Sequence, residues 1–494
     1  MTLVIGLDLG TTNCKAVALN EQGEVANHAS GSQALSSPRP GWAEQDANEV
    51  WQSALEALRS LARSLAGDQP AGLCLSGAMH SLLPVGVHDD PLAPAMTWAD
   101  QRAVPQVERL RRTTDSYAIY RRTGCPLQPV YYPGKLHWWR EEAPDIWSRV
   151  TRFVALKDWV LFRLTGEWAT DISLASTTGL LDIHHADWDE ATLELSAVRS
   201  DQLPPLVSPR QVVGSLNVES AQLTGLPVGL PIIAGANDGG LANLGSGAYL
   251  PGQSVITVGT SGAVRHLLDR PVLDRFERTW CYLLDEGCWF RGGAINNGGL
   301  ALQWVRQRFY SELPEAEGYE RLLVEADSVD AGAAGLLALP YFVGERSPHW
   351  NATARAALVG LGFEHTRAHI ARAVMEGVAF CLADVWEALA ESSPLGVPSR
   401  LTGGITRSQL WRQIVADVLG VRLACLEAAD ASAVGAAMLG LQALGVVDAH
   451  SLASRMEPGV IIEPDPERYI FYEKRHTAFQ ALYQRALSPS TFIH

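Results

Sequence analysis

Residues 3–19 read Leu-Val-Ile-Gly-Leu-Asp-Leu-Gly-Thr-Thr-Asn-Cys-Lys-Ala-Val-Ala-Leu. The apolar run Leu3 to Leu7 predicts a strand, Gly10-Thr11-Thr12 breaks it, and Lys15 to Leu19 predicts a second strand. Residues 253–267 repeat the plan: apolar Val255 to Val258, the turn Gly259-Thr260-Ser261-Gly262, then Ala263 to Leu267. Two matching hairpins half a chain apart predict two copies of one α/β unit, each opening near its hairpin. The length agrees, since 494 residues exceed what one hydrophobic core usually covers and predict two to three domains.

Between the hairpins the period changes to that of helices. Asp46, with Glu49 three residues on, starts a segment in which Trp51, Leu55, Leu58, Leu61 and Leu65 recur on one face until Gly67. Thr366 is the expected cap of a longer helix carrying Ile370, Val374, Val378, Val385 and Leu389, and Ser408 to Leu419 follows Gly403-Gly404 as a third. Strands alternating with helices predict a mostly parallel sheet covered by helices.

Composition narrows the function. A hydrophobic fraction of 47% excludes a disordered chain, and a formal charge of −15 disfavours nucleic acid and anionic membrane surfaces as partners. The longest apolar stretch, Ala333 to Val343, is short and holds Pro340, so no membrane-spanning helix is predicted. The first residues lack a basic leader, and the 7 cysteines are scattered with no C-x-x-C pair. A reduced, cytoplasmic protein is the expectation. Oligomeric state is not legible, and a homodimer is expected only on the general frequency of dimers.

Five short constellations suit chemistry. Glycine in Gly10-Thr11-Thr12-Asn13 lets backbone N–H groups approach an anion, and Asp8 at the strand end is the carboxylate that a hydrated Mg²⁺ needs. Gly259-Thr260-Ser261 offers the same donors, and a nucleotide held between two domains needs one such turn from each. As a lone feature, either would equally be an ordinary hairpin. Asp238, between Asn237 and Gly239-Gly240 after the apolar Ile232-Ile233, is placed either to take a proton from a hydroxyl or to cap the following helix. Met79-His80 and Thr97-Trp98-Ala99-Asp100-Gln101-Arg102 offer an apolar face and directional polar groups to a polyol, although such residues pack in cores more often than they bind ligands. Gly403-Gly404 leaves room for a flat ring. No P-loop and no dinucleotide fingerprint occurs.

Taken in order, Asp-Leu-Gly-Thr-Thr at 8–12, Met-His at 79–80, Trp-x-Asp at 98–100, Asn-Asp-Gly-Gly at 237–240, Gly-Thr-Ser-Gly at 259–262 and Gly-Gly at 403–404 resemble the FGGY carbohydrate kinases. Gly344-Glu345-Arg346-Ser347-Pro348 and Ala373-Val374-Met375-Glu376 extend the likeness across nearly the whole chain. The resemblance implies an α/β fold of two actin-like (ribonuclease-H-like) domains, at 1–245 and 246–494, with a central cleft and a last helix returning to the first domain. It implies ATP and Mg²⁺ as cofactors and a small-molecule sugar or sugar acid as partner.

By matching position, Asp238 is the expected general base and Asp8 the expected magnesium carboxylate, acting through a bound water. Gly10, Thr11, Thr12, Asn13, Gly259, Thr260 and Ser261 are expected around the phosphates, and Gly403, Gly404 and Ser408 around the adenosine. Met79, His80, Trp98, Asp100 and Asn237 are expected at the acceptor. Ser-Gly-Ala-Val-Arg at 261–265 and Asn-Asn-Gly-Gly at 296–299 are closer to family members acting on gluconate than to those acting on xylulose. A gluconate carboxylate needs a cation, for which Arg102, Arg265 and Arg346 are candidates. The alternatives are a xylulose or other ketose or polyol acceptor and, from another class, a non-catalytic ATP-driven switch on the same scaffold.

Overall fold

The structure, a computed structural model, describes residues 2–65, 67–426, 430–456 and 459–487. The opening hairpin is β1 (Leu3–Leu9) and β2 (Asn13–Asn20), continued by β3 (Val25–Ser32). With β4 (Gly72–Gly77), β5 (Val212–Ser215) and β6 (Pro231–Asn237) it forms a six-stranded sheet ordered β5-β6-β4-β1-β2-β3. The second hairpin is β7 (Ser254–Val258) and β8 (Gly262–Leu268). Strands β9 (Trp280–Asp285), β10 (Cys288–Ile295), β11 (Ser399–Thr402), β12 (Leu423–Cys425) and β13 (Val460–Ile462) join it in a seven-stranded sheet ordered β9-β10-β8-β7-β11-β12-β13.

The sheets are mixed, where the sequence predicts mostly parallel ones. Each tight turn reverses the chain, so β1–β2 and β7–β8 are antiparallel. Parallel pairing is confined to strands reached by longer crossovers: β4 on β1, β6 on β4, β11 on β7 and β12 on β11. Both lobes therefore carry a hairpin with a parallel strand along its first arm.

Helices bury the faces. In α1 (Ala47–Ser64), Asp46 caps the start by accepting from the Asn48 and Glu49 N–H groups. Val50, Ala54 and Leu58 then pack on Ile5, Leu7 and Leu75. Helix α2 (Tyr132–Glu142) stands behind the cleft, and α3 (Asp238–Gly245) leaves the end of β6. In the second lobe, α4 (Arg367–Ala390) and α5 (Gln409–Leu419) bring Val374, Val378, Ile414 and Val415 into one core with Ile256 and Leu401.

The helix that returns to the first lobe is α6 (Ala431–Ala443), not the last one. Its small residues let it sit directly on β1 and α3. A Cβ at Gly6 would lie 1.9 Å from Ala433 O, one at Gly435 2.0 Å from Leu241 O, and one at Gly245 1.9 Å from Ala431 O. The last helix, α7 (Pro466–Ala486), buries Tyr472, Phe479 and Tyr483 in the core of the second lobe instead. The lobes in space thus do not follow a single cut in the sequence. Among the described residues no helix is long and apolar enough to cross a membrane, and all 7 cysteines are free thiols.

Candidate active site

Both turns have their carbonyl oxygens tied back. Gln33 Nε2 donates to Gly10 O (2.6 Å), Gln45 Nε2 to Thr11 O (2.9 Å) and the Gln33 N–H to Thr12 O (3.0 Å). At the second turn the start of the helix Gly299–Phe309 does the same work. The Gly299 N–H bonds Gly259 O (2.6 Å), and the Gly298 and Leu300 N–H groups each bond Thr260 O (3.1 Å). Oxygens held from behind do not oppose an incoming phosphate, which then meets amides and hydroxyls. A Cβ at Gly298 would lie 2.6 Å from Ser261 O, so this backing requires glycine. Thr12 and Asn13 are exposed at the first tip, with Asn13 Nδ2 donating to Thr12 Oγ1 (3.2 Å).

Two carboxylates stand beside the turns. Asp238 is the first residue of α3, and its Oδ1 accepts from the Gly239 N–H (2.7 Å). Burial, reinforced by the negative Asp8, raises its carboxyl to about 7 against the pull of Arg265. Asp8 ends β1, and its Oδ1 accepts from Ser76 Oγ (2.6 Å). Burial raises it as well, opposed by Ser76 and Lys15.

Between the lobes lies a cavity of about 260 Å³. Thr11, Met79, His80, Trp98 and Asp238 line it from the first lobe, and Thr257, Ser261, Arg265, Tyr282 and Arg346 from the second. It shares Trp98, Ser261 and Arg346 with a wider outer compartment of about 490 Å³, walled by Trp42, Val130 and Trp350. His80 adopts a left-handed backbone (φ 68°) that turns its ring inward. Its Nδ1 lies 2.8 Å from Thr177 O, and burial pushes the imidazole down to about 3. A neutral ring that donates through Nδ1 presents Nε2 as an acceptor for a hydroxyl. Lys135 of α2 donates to His80 O (2.6 Å) and Thr97 O (2.9 Å), fastening together the loops that carry His80 and Trp98. Trp98 Nε1 donates to Thr11 Oγ1 (3.0 Å), linking the apolar wall to the first turn.

Three residues expected at the acceptor or as its cation have other tasks. Asp100 is buried with its carboxylate on Arg102 (2.7 Å) and the Ala43 N–H (2.8 Å). Arg102 is taken up by Asp100, by Glu44 (2.6 Å) and by the Trp42 ring 3.5 Å away. Asn237 is fully buried: its Oδ1 caps α3 through the Gly240 N–H (2.7 Å) and its Nδ2 donates to Ser173 Oγ (2.7 Å). A polar side chain following a strand end reads the same whether it faces a ligand or a helix start, so sequence alone does not separate the two. On the nucleotide side, Ser408 is also a cap, accepting from the Trp411 N–H (3.2 Å). Gly403 (φ 93°) packs so closely on β7 that a Cβ would lie 2.5 Å from Val258 O, whereas Gly404 and Gly259 open onto free space.

Tyr282, Thr257, Trp280 and the backing glutamines Gln33 and Gln45 are not singled out by the sequence. Each lies in or behind the site through sheet register, which one chain of letters does not display. Arg265 and Arg346, named only as open candidates, both reach the cavity.

Residues 3–245 match the N-terminal domain of the FGGY family of carbohydrate kinases, and residues 254–444 match its C-terminal domain. The chain is 35% identical over 461 residues to a gluconokinase of Bacillus licheniformis, covering 92% of this chain and 90% of that one. It is 31% identical over 495 residues to a xylulose kinase of Escherichia coli, covering 98% and 99%. The structure of a gluconate kinase from Lactobacillus acidophilus superimposes with a TM-score of 0.93 at 30% identity, covering 99% of both chains.

Proposed function

Since the chain belongs to the FGGY family of carbohydrate kinases, we propose that it transfers the γ-phosphoryl group of MgATP to the 6-hydroxyl of D-gluconate. It is an ATP-dependent carbohydrate kinase; the acceptor and the residue roles are the proposal. The observation that carries the acid acceptor is electrostatic. Arg265 and Arg346 both face the 260 Å³ cavity, and among the described residues neither is in an ion pair with a carboxylate. Asp238 and Glu345 lie close enough to act on these two cations but make no ion pair with them, so an aldonate carboxylate offers a direct partner here that a neutral ketose does not.

Asp238 is the proposed general base. Its carboxylate oxygen not engaged by Gly239 takes the acceptor hydroxyl proton while the hydroxyl oxygen bonds to the γ-phosphorus and the bond to ADP breaks. A carboxyl raised to about 7 suits that transfer at neutral pH. The turns at 10–13 and 259–261 hold the phosphates, and Gly404 leaves room for the adenosine. Asp8 fits a hydrated Mg²⁺: one oxygen is occupied by Ser76, and Oδ2 lies toward the turn, 3.9 Å from the site of a Gly10 Cβ. Hard oxygen donors met through water are the usual setting for that ion, which when bound offsets charge on the phosphates. His80 and Trp98 orient the polyol chain, and a bound acceptor filling the cavity displaces water, the competing acceptor, from beside the phosphoryl group.

ADP release measured with D-gluconate, D-xylulose and glycerol tests the acceptor, with gluconate expected to give the highest kcat/KM. The highest value on xylulose would overturn the acid reading. Asp238→Asn is expected to lower kcat by about 10²–10⁴-fold while ATP still protects the protein against thermal unfolding. Unchanged turnover would remove the base assignment.

A further inference from the structure

Of the three arginines that could meet an acidic acceptor, only Arg265 has a buried donor left without a partner among the described residues. Arg102 is saturated by Glu44 and Asp100. Arg346 is braced by Asn296 Oδ1 at Nε (2.7 Å) and Ile295 O at Nη2 (3.3 Å), and it lies over the Trp98 ring (4.9 Å). Arg265 makes one hydrogen bond, from Nη1 to Thr257 Oγ1 (3.1 Å), and its Nε is buried with no acceptor. A desolvated guanidinium donor without a partner is costly, and a site that keeps one is completed by what it binds.

We infer that Arg265 receives the carboxylate of the acceptor and thereby sets the preference for a sugar acid over a neutral sugar. This rests on the acid reading of the cavity given above. Position favours the acceptor over the nucleotide as the source of the anionic oxygens. Arg265 is the fourth residue of β8, paired with Gly292 and Val255; its guanidinium bonds Thr257 on the neighbouring strand and lines the cavity together with Asp238, Met79 and His80. Room for it comes from the opposite lobe, where a Cβ at Gly239 would lie 3.3 Å from Arg265 Nε and 3.1 Å from Met79 Cε. A side chain at 239 would crowd the buried Nε beside Asp238, so glycine there keeps that edge of the guanidinium uncrowded while Thr257 holds Nη1.

The test crosses the charge on the enzyme with the charge on the acceptor. Wild type, Arg265→Met and Arg265→Lys are assayed for ADP release with D-gluconate and with its neutral amide, D-gluconamide. In wild type gluconate is expected to have the lower KM. Arg265→Met is expected to raise KM for gluconate by about 10–100-fold, at least about tenfold more than for the amide, and Arg265→Lys to recover part of the difference. An equal fall in kcat on both acceptors would overturn the inference, because it would assign Arg265 to the transferred phosphoryl group. An unchanged KM for gluconate in a folded Arg265→Met enzyme would overturn it too, while leaving gluconate as the substrate. Failure of wild type to favour gluconate over the amide or over xylulose would instead overturn the acid reading itself. Thermal unfolding with and without ATP establishes folding, and Arg265→Lys carries the comparison if the methionine variant is unstable.

Discussion

The two hairpins share one plan and differ in charge at the position that precedes the turn. Two residues before the turn glycine stands Asp8 in the first lobe and Thr257 in the second. Each faces a hydroxyl on the neighbouring parallel strand: Asp8 is paired with Ser76 (2.6 Å) and Thr257 with Thr402 (2.9 Å between hydroxyls). A glycine then follows the hydroxyl residue in both, Gly77 in one and Gly403 in the other. The repeat therefore preserves a backbone cradle and a strand-to-strand hydrogen bond while allowing only one lobe a carboxylate. Electrostatics explains the asymmetry. In the proposed mechanism one carboxylate serves a cation beside the triphosphate, and a second on the opposite wall would add repulsion with no further ion to offset it.

Removing the difference is the strongest way to break this comparison. Asp8→Asn makes both hairpins neutral, keeps an acceptor for Ser76, and is expected to lower kcat by about 10²-fold with a raised Mg²⁺ requirement. ADP release measured across Mg²⁺ concentrations checks it. Wild-type turnover at limiting Mg²⁺ would mean that the charge difference between the hairpins has no bearing on the reaction.

The lobes also differ in how they hold their outer helices. The first sheet is backed by α6 mainly through glycine and alanine, with one partly exposed ion pair from Lys15 to Asp430 (2.8 Å) at the helix start. In the second lobe α7 is tied to α4 by His476, whose Nε2 lies 2.8 Å from Asp384 and whose Nδ1 lies 3.3 Å from Glu387. Gln480 and His349 also reach Asp384 (2.8 and 3.4 Å). Burial opposes charge on His476, but Asp384 and Glu387 overcome it and hold the imidazole at about 9. A raised histidine stabilises the fold fully below its unfolded value near 6.5, and that stabilisation is lost as pH rises through about 9. Between pH 7 and 8.5 wild type is expected to lose about 1–2 kcal/mol relative to His476→Gln, read from thermal unfolding midpoints across that range. Parallel pH curves for the two proteins would show that the tie is neutral.

Much of this was legible in the sequence, for identifiable reasons. The hairpins and α1 announce themselves through local pattern: apolar runs broken by glycine, and a 3.6-residue stripe behind an aspartate cap. Asp238, Met79, His80 and Trp98, which line one cavity, are grouped by the sequence because their order along the chain matches a family. Sheet direction was misjudged because alternating strands and helices suggest crossovers, whereas the glycine turns impose antiparallel arms. Asp100, Asn237 and Ser408 read as ligand groups because nothing in the letters reveals that Arg102, Gly240 N–H or Trp411 N–H engages them. The returning helix was misplaced for a related reason: Gly6, Gly245 and Gly435 look like ordinary glycines until the backbone oxygens of the opposing elements are seen against them.

Thr257 gives the smallest effect and the sharpest test of the hairpin comparison. If it were only the sheet counterpart of Asp8, its loss would cost a single hydrogen bond to Thr402 and leave binding of both substrates unchanged. It also accepts from Arg265 Nη1, however, and so holds the guanidinium that we assign to the acceptor. Thr257→Val keeps the β-branched shape and removes the hydroxyl. The expected result is a rise of about threefold to tenfold in KM for gluconate, less than a direct hydrogen bond to a charged group because Thr257 acts through Arg265, with a smaller change in KM for ATP. Equal effects on both KM values would make Thr257 a structural echo of Asp8. A selective effect on gluconate makes the second hairpin the place where phosphate holding and acceptor choice meet, a task for which the first hairpin, with its charge at the same position, has no vacancy.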